Sequence, residues 1–249
     1  MKVVILCGGQ GTRMREETEF RPKPLVDVGG HPILLHIMKG YAHYGFQDFV
    51  LCLGYKGELI KNFFLNYESQ TRDLTVTLGS GAVEYHSQMR EAGWRVTMVD
   101  TGLDTQTGSR VRRIRRHLPE RGAFHLTYGD GVGNVDLNAL AAFHAARGTV
   151  MTLTGVHPPG RFGEVMADAA GLATEFNEKP QTTAGLISGG FFVCEQGLFD
   201  YLGDGDDVSL EECLSQARTA GFTGMETGRR FPMDANVLGP VLKNHGISV

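Results

Sequence analysis

"VVILCGGQGTRM", residues 3–14, runs from a short apolar segment straight into three glycines, a threonine and an arginine. An apolar run without alternation marks a strand buried on both faces, as in a parallel sheet covered by helices. Glycines directly after such a strand let backbone N–H groups approach a bound polyanion. The loop is not a dinucleotide fingerprint, because Gly9 and Gly11 are followed by Met14 where the third glycine belongs. Nor is it a P-loop, since no Gly-Lys-Ser/Thr follows. What remains is G-G-x-G-T-R, in which Arg13 adds a permanently charged bidentate donor for phosphate. A Gly-rich turn carrying a surface arginine would have the same sequence.

Outward from this loop the chain alternates apolar runs with helical patterns. "PILLHIMKGYAHYG" puts Ile33, Leu34, Ile37, Met38 and Tyr41 on one helical face between Pro32 and Gly45. "DFVLCLG", "RVTMVDTG" and "AFHLTYGDG" are further strands, and "KGELIKNFFLNYE" is a helix after the first of them. "DLNALAAFHAARG" is a helix with Asp136 as N-cap and Gly148 as stop. This order predicts a Rossmann-like, mostly parallel sheet with helices on both faces. After His157 two short strands surround an Ala-Gly turn, "GGFFVCEQ" is another strand, and helices follow near 196–203 and 209–220. The reading is a single domain, 1–249, with a nucleotide-binding half (1–156), a second part (157–249) and a small C-terminal α+β extension.

Composition narrows the function. A net charge of −4 excludes a globally basic nucleic-acid or membrane binder, so a polyphosphate site has to be locally basic. The 34 glycines, about twice the usual share, imply many tight turns and close approaches. Cys7, Cys52, Cys194 and Cys213 show no zinc spacing and are expected as reduced thiols. "MKVVIL" is too short for a signal peptide, and no stretch reaches membrane-spanning length, so a soluble cytoplasmic protein is expected. In "TGSRVRRIRRHL", Val111, Ile114 and Leu118 recur at helical spacing, which leaves most of the arginines as a solvated face.

Lys23 stands between Pro22 and Pro24, a setting that predicts an extended backbone and an ammonium with little freedom behind the loop. Asp130 in "YGDG" ends a strand, with glycines clearing space beside it. A strand-end carboxylate suits Mg²⁺, which takes one or two carboxylates plus phosphate oxygens.

G-G-x-G-T-R, then "PKPL", then "VGGHPIL" resembles the opening of the sugar-1-phosphate nucleotidyltransferases. The resemblance extends in order through "EET", "HIMKGYAHYGFQDFVLCLGYKG", "WRVTMVDTG", "TGSR", "TYGDGV", "HPPGRFG", "NEKP" and "GGFFV", covering residues 1 to about 200. It implies a GT-A-like fold, CTP and a sugar 1-phosphate as substrates, Mg²⁺ as cofactor and a homo-oligomeric assembly. The matching positions imply Arg13 and Lys23 as catalytic residues. They imply a nucleotide site of Leu6, Gly8, Gly9, Gly11, Thr12, Arg13, Lys23, Thr107, Arg110, Gly129 and Asp130. Gly163, Glu178, Lys179 and Gly190 are implied for the sugar phosphate, and Asp234 beside Asp130 for the metal. By itself Asp234 could equally be a helix cap.

The implied reaction is cytidylyl transfer from CTP to glucose 1-phosphate, giving CDP-glucose and pyrophosphate. The attacking phosphate is largely ionised at neutral pH, its second pKa being about 6, so no general base is needed. After about residue 200 the pattern departs from the family: Arg230 replaces a tryptophan and Ala235 a threonine. With Arg229, this leaves open a different phosphorylated or phosphonate acceptor. A catalytically silent nucleotide-binding regulatory module is the alternative from another class.

Overall fold

The opening apolar run forms a strand buried along most of its length, β1 (Val3–Leu6), and the sheet grows from it in both directions. The computed structural model describes residues 1–10, 20–157, 164–167, 172–177 and 186–202, all within one compact unit, Met1–Gly203. After β1 come a two-strand ladder, β2 (Asp27–Val28) and β3 (His31–Pro32), helix α1 (Ile33–His43) and strand β4 (Asp48–Leu53). Helices α2 (Gly57–Leu65) and α3 (Tyr67–Thr71) lead to a hairpin, β5 (Leu74–Thr77) and β6 (Ala82–Tyr85), then β7 (Arg95–Asp100) and α4 (Thr107–Arg113). Next are β8 (Phe124–Tyr128), α5 (Leu137–Arg147), β9 (Met151–Val156), the pair β10 (Glu164–Ala167) and β11 (Ala173–Asn177), and β12 (Ile187–Cys194).

Six strands form one sheet in the order β7-β4-β1-β8-β12-β9. The first four are mutually parallel, whereas β12 runs antiparallel to both β8 and β9. Order reverses around β1, where β4 lies on one side and β8 on the other. This is the point at which open α/β sheets bind ligands beyond their carboxyl ends.

The central strands carry apolar residues facing both ways, and the core accordingly splits into two clusters. Val3, Ile5, Phe49 and Leu51 pack with Leu34, Ile37, Met38 and Tyr41 of α1, Ile60 of α2, and Leu137 and Leu140 of α5. On the opposite face Val4, Val50, Cys52, Phe124 and Leu126 pack with Val111 of α4, Ile114, Leu118 and Phe199. The predicted caps are present: Asp136 Oδ1 accepts from Ala139 N at 2.9 Å, and Gly148 ends α5 at φ +63°. Cys7, Cys52 and Cys194 are free, buried thiols, and burial raises the pKa of each.

β12, from the second part of the chain, joins the same sheet between β8 and β9, while β10 and β11 form a separate antiparallel pair on either side of the expected turn. The helix expected near 196–203 is a 3₁₀ segment, Gln196–Asp200. The helix at 209–220 and the C-terminal extension lie outside the described residues. Among the described residues no helix is long and apolar enough to cross a membrane.

Candidate active site

β1, β4, β7 and β8 point their carboxyl ends the same way, and the segments following β1, β7 and β8 line a cavity of about 310 Å³. Hydrogen bonds anchor the glycine loop where it leaves β1. Cys7 N donates to Cys52 O at 2.9 Å, and Tyr55 N donates to Gly8 O at 3.3 Å. Gln10 Nε2 reaches Asp104 Oδ1 at 3.2 Å, tying the loop to the segment after β7. On the other side Gly129 N donates to Leu6 O at 3.0 Å. A Cβ on Gly129 would lie 2.9 Å from that oxygen and 3.1 Å from both Cys7 Sγ and Pro24 Cγ. Only glycine lets β8 end so close to the loop.

Lys23 enters from a turn of different geometry than expected. Rather than running extended, the backbone forms a 3₁₀ turn, Lys23–Leu25, closed by Leu25 N to Pro22 O at 2.8 Å and Val26 N to Lys23 O at 3.0 Å. Pro22, at φ −69° and ψ 150°, supplies the extended entry, and the turn hydrogen bonds outweigh the pre-proline bias at Lys23. The ammonium then crosses the cavity to Asp130 Oδ2 at 3.2 Å. Lys23 and Asp130, 107 positions apart, face the same space.

Leu6, Gly8, Gly9, Lys23, Thr107, Arg110, Gly129 and Asp130 all line this cavity. Gly11, Thr12 and Arg13 lie outside the described residues. Arg110 differs from its neighbours in what its guanidinium does. The residue is only 6% exposed. Nη1 donates to Leu53 O (3.2 Å), Thr101 Oγ1 (2.8 Å) and Gly102 O (2.6 Å), and Nη2 donates to Leu103 O (2.9 Å). The guanidinium also fills the space a side chain at Gly8 or Gly54 would need. Arg110 therefore knits the end of β4 to the turn after β7, directly beneath the glycine loop. Arg113 adds bonds to Thr101 O (2.7 Å) and Thr105 Oγ1 (3.1 Å). Burial lowers the Arg110 pKa, yet a guanidinium stays charged inside proteins, so this is a buried positive charge beneath the loop.

A second cavity of about 250 Å³ opens beside the first and is lined by Thr127, Tyr128, Asp130, Gly131, Val132, Ser188, Gly189, Gly190 and Phe191. Tyr128 and Asp130 belong to both cavities. Gly190 sits at φ +81°, in the left-handed region that favours glycine, and Thr127 Oγ1 donates to its carbonyl at 2.9 Å. Gly163, Glu178, Lys179, Arg229, Arg230, Asp234 and Ala235 lie outside the described residues. Sequence reasoning missed Tyr128, although it adjoins Gly129 and Asp130, and it missed the Thr105–Gln106 edge of the first cavity.

The arrangement offers a hard carboxylate oxygen at a strand end, a lysine facing it and a backbone loop beside both. Such a set fits a polyphosphate with a divalent cation. Among the described residues there is no group of three or more His, Cys, Asp or Glu that could hold a metal without help from a ligand.

A family model described as nucleotidyl transferase matches residues 2–220. The chain is 45% identical over 212 residues to the glucose-1-phosphate cytidylyltransferase of Salmonella typhimurium, covering 85% of this chain and 81% of that protein. It is 44% identical over 215 residues to a probable glucose-1-phosphate cytidylyltransferase of Bacillus subtilis, covering 86% and 83%. Among solved structures, HddC from Yersinia pseudotuberculosis aligns with TM-score 0.56 and 21% identity over 84% of this chain and 82% of its own. A UDP-glucose pyrophosphorylase complexed with UDP-glucose aligns with TM-score 0.53 and 12% identity, covering 80% and 77%. At these identities the two structures show a shared fold.

Proposed function

The chain belongs to the nucleotidyl transferase family, and from that premise we propose that it transfers a cytidylyl group from CTP to glucose 1-phosphate, releasing pyrophosphate. The single observation that carries the site assignment is the Lys23–Asp130 pair at the boundary of two adjoining cavities. The 310 Å³ cavity beside the glycine loop is the CTP subsite, and the 250 Å³ cavity towards β12 is the acceptor subsite.

In this reading the chemistry is alignment and charge neutralisation. The acceptor phosphate arrives ionised, attacks the α-phosphorus in line with the leaving pyrophosphate, and needs no general base. Backbone N–H groups of the loop and the Lys23 ammonium hold phosphate oxygens. Arg110 supports the loop from below with a fixed positive charge. Asp130 would hold the divalent cation together with triphosphate oxygens, and Asp234 is the second carboxylate in the proposal. When bound, that cation neutralises charge building on the phosphates. Lys23 then exchanges its Asp130 partner for the triphosphate. Arg13, Lys179 and Glu178 complete the proposed set from the resemblance. Mg²⁺ as the ion, a cytoplasmic setting and a homo-oligomeric assembly belong to the same proposal.

The test is pyrophosphate release with each of the four nucleoside triphosphates against a panel of sugar 1-phosphates. CTP with glucose 1-phosphate should give the highest kcat/KM. A preference for another acceptor would move the assignment to a different cytidylyltransferase, and no release with any pair would leave a binding module.

A further inference from the structure

Tyr128 is a half-exposed aromatic ring set in a polar cleft, between two cavities whose other shared residue is a carboxylate. At 42% exposed, it is the least buried member of a strand whose preceding four residues are all buried. On the β12 side the ring meets Phe192 edge-on at 5.9 Å between centroids. A Cβ on Gly190 would come within 3.2 Å of its Cδ2. β8 and β12 pair with Thr127 opposite Phe191 and Leu126 opposite Phe192, so Gly190 is the next position on the ladder, across from Tyr128. The ring thus packs on the strand that borders the second cavity while still lining the first. Gly190 has no side chain to fend it off.

An apolar face with hydroxyls close by is the complement of a pyranose, which presents C–H bonds on its faces and O–H groups around its rim. Ser188, at the exposed edge of β12, lines the same cavity and supplies such a hydroxyl, whereas that of Thr127 is committed to the Gly190 carbonyl. A purely ionic site for the acceptor phosphate would not need an aromatic ring there. We propose that Tyr128 is the specificity-determining wall of the acceptor subsite: its ring carries the sugar of the sugar 1-phosphate and sets the distance of that phosphate from the nucleotide. This rests on the assignment of the two cavities to donor and acceptor.

The experiment compares wild type with Tyr128→Leu and Tyr128→Phe. Removing the flat ring in Tyr128→Leu should raise KM for glucose 1-phosphate about tenfold, the effect of losing one stacking partner, with KM for CTP within about twofold. Calorimetry should show the same split, with CDP-glucose weakened about tenfold and CTP unchanged. Tyr128→Phe keeps the ring and should stay within about threefold of wild type in every constant. A merely structural ring would change both substrates together or only the thermal midpoint, and that outcome overturns the proposal. So does a loss confined to CTP, which would give the ring to the nucleotide. Should Tyr128→Leu fail to fold, wild type decides by saturation transfer: aromatic protons must transfer to the pyranose C–H signals of bound CDP-glucose, and their silence overturns the proposal. Absence of CDP-glucose formation by wild type would instead sink the underlying cavity assignment.

Discussion

Arg110 offers the sharpest separation between a strut and a ligand contact. Arg110→Met keeps much of the side-chain volume and removes the guanidinium, so four hydrogen bonds to Leu53 O, Thr101 Oγ1, Gly102 O and Leu103 O disappear at once. Hydrogen bonds from a charged donor contribute about 1.5–3 kcal/mol each, but they are not additive, and burying the cation itself costs several kcal/mol. Thr101 N and Thr101 Oγ1 still donate to Leu53 O at 2.9 and 2.6 Å, so that carbonyl keeps two partners. Gly102 O and Leu103 O lose the guanidinium as a donor. The expected net loss is about 3–5 kcal/mol, comparable to removing one member of a buried charged network. Urea unfolding followed by circular dichroism gives the stability, and calorimetric titration with CTP and Mg²⁺ on the folded fraction gives affinity. A strut predicts a large loss of stability, with CTP binding reduced because the loop above Gly8 is no longer supported. Arg110→Lys should recover little, because an ammonium cannot span three segments with a planar fork. Stability within about 1 kcal/mol of wild type together with a large loss of CTP affinity would refute the strut and make Arg110 a direct nucleotide contact.

Lys23→Met should lower kcat/KM by at least about a hundredfold while the thermal midpoint barely moves, since a partly exposed ion pair contributes about 1 kcal/mol or less; near-normal turnover in a pyrophosphate-release assay would remove Lys23 from the triphosphate. Asp130→Asn should weaken Mn²⁺ binding in the presence of CTP, read by electron paramagnetic resonance, and should cut activity steeply; full activity in excess chelator would remove the metal role. Gly129→Ala should cost about 1–3 kcal/mol and impair CTP binding, because the added methyl meets the Leu6 carbonyl; an unchanged melting temperature would show that the strand end gives way easily. His125 is fully buried between the Tyr41 and Phe46 rings, and burial, then the N-terminal charge, holds its pKa down at about 4. The unfolded chain takes up a proton below about 6.5 that the folded chain refuses until about 4, so stability should fall by about 3 kcal/mol as pH drops through that window. His125→Phe should flatten that part of the pH–stability curve, and an unchanged curve would assign the acid sensitivity elsewhere.

The sequence showed those parts of the fold whose burial is enforced along a continuous segment. β1, β4 and α1 have apolar patterns that only one arrangement satisfies, and Asp136 and Gly148 mark the ends of α5 by local chemistry. The hairpin of β5 and β6 escaped notice for the opposite reason. Leu74–Thr77 and Ala82–Tyr85 are mostly exposed, so no buried face writes a period into the sequence. Its turn does carry a signal in Gly79 and Gly81, at φ +95° and +72°. β9 was missed likewise, because its threonines alternate with residues left at the surface of an edge strand.

The candidate site divides along the same line. Leu6, Gly8, Gly9, Gly129 and Asp130 stand at ends of strands that the sequence shows, so their convergence follows once the strands are parallel neighbours. What Lys23, Arg110 and Tyr128 do is decided by partners far along the chain. Lys23 meets a carboxylate 107 positions on. Arg110 is bound to Leu53, 57 positions back, so a basic residue at the edge of a cleft is consumed by carbonyls rather than left free for phosphate. Tyr128 takes its orientation from Phe192 and from the missing side chain of Gly190. A motif states which groups arrive at a strand end. Whether each one faces the ligand or the protein depends on which unsatisfied oxygens and open spaces the neighbouring strands bring to it.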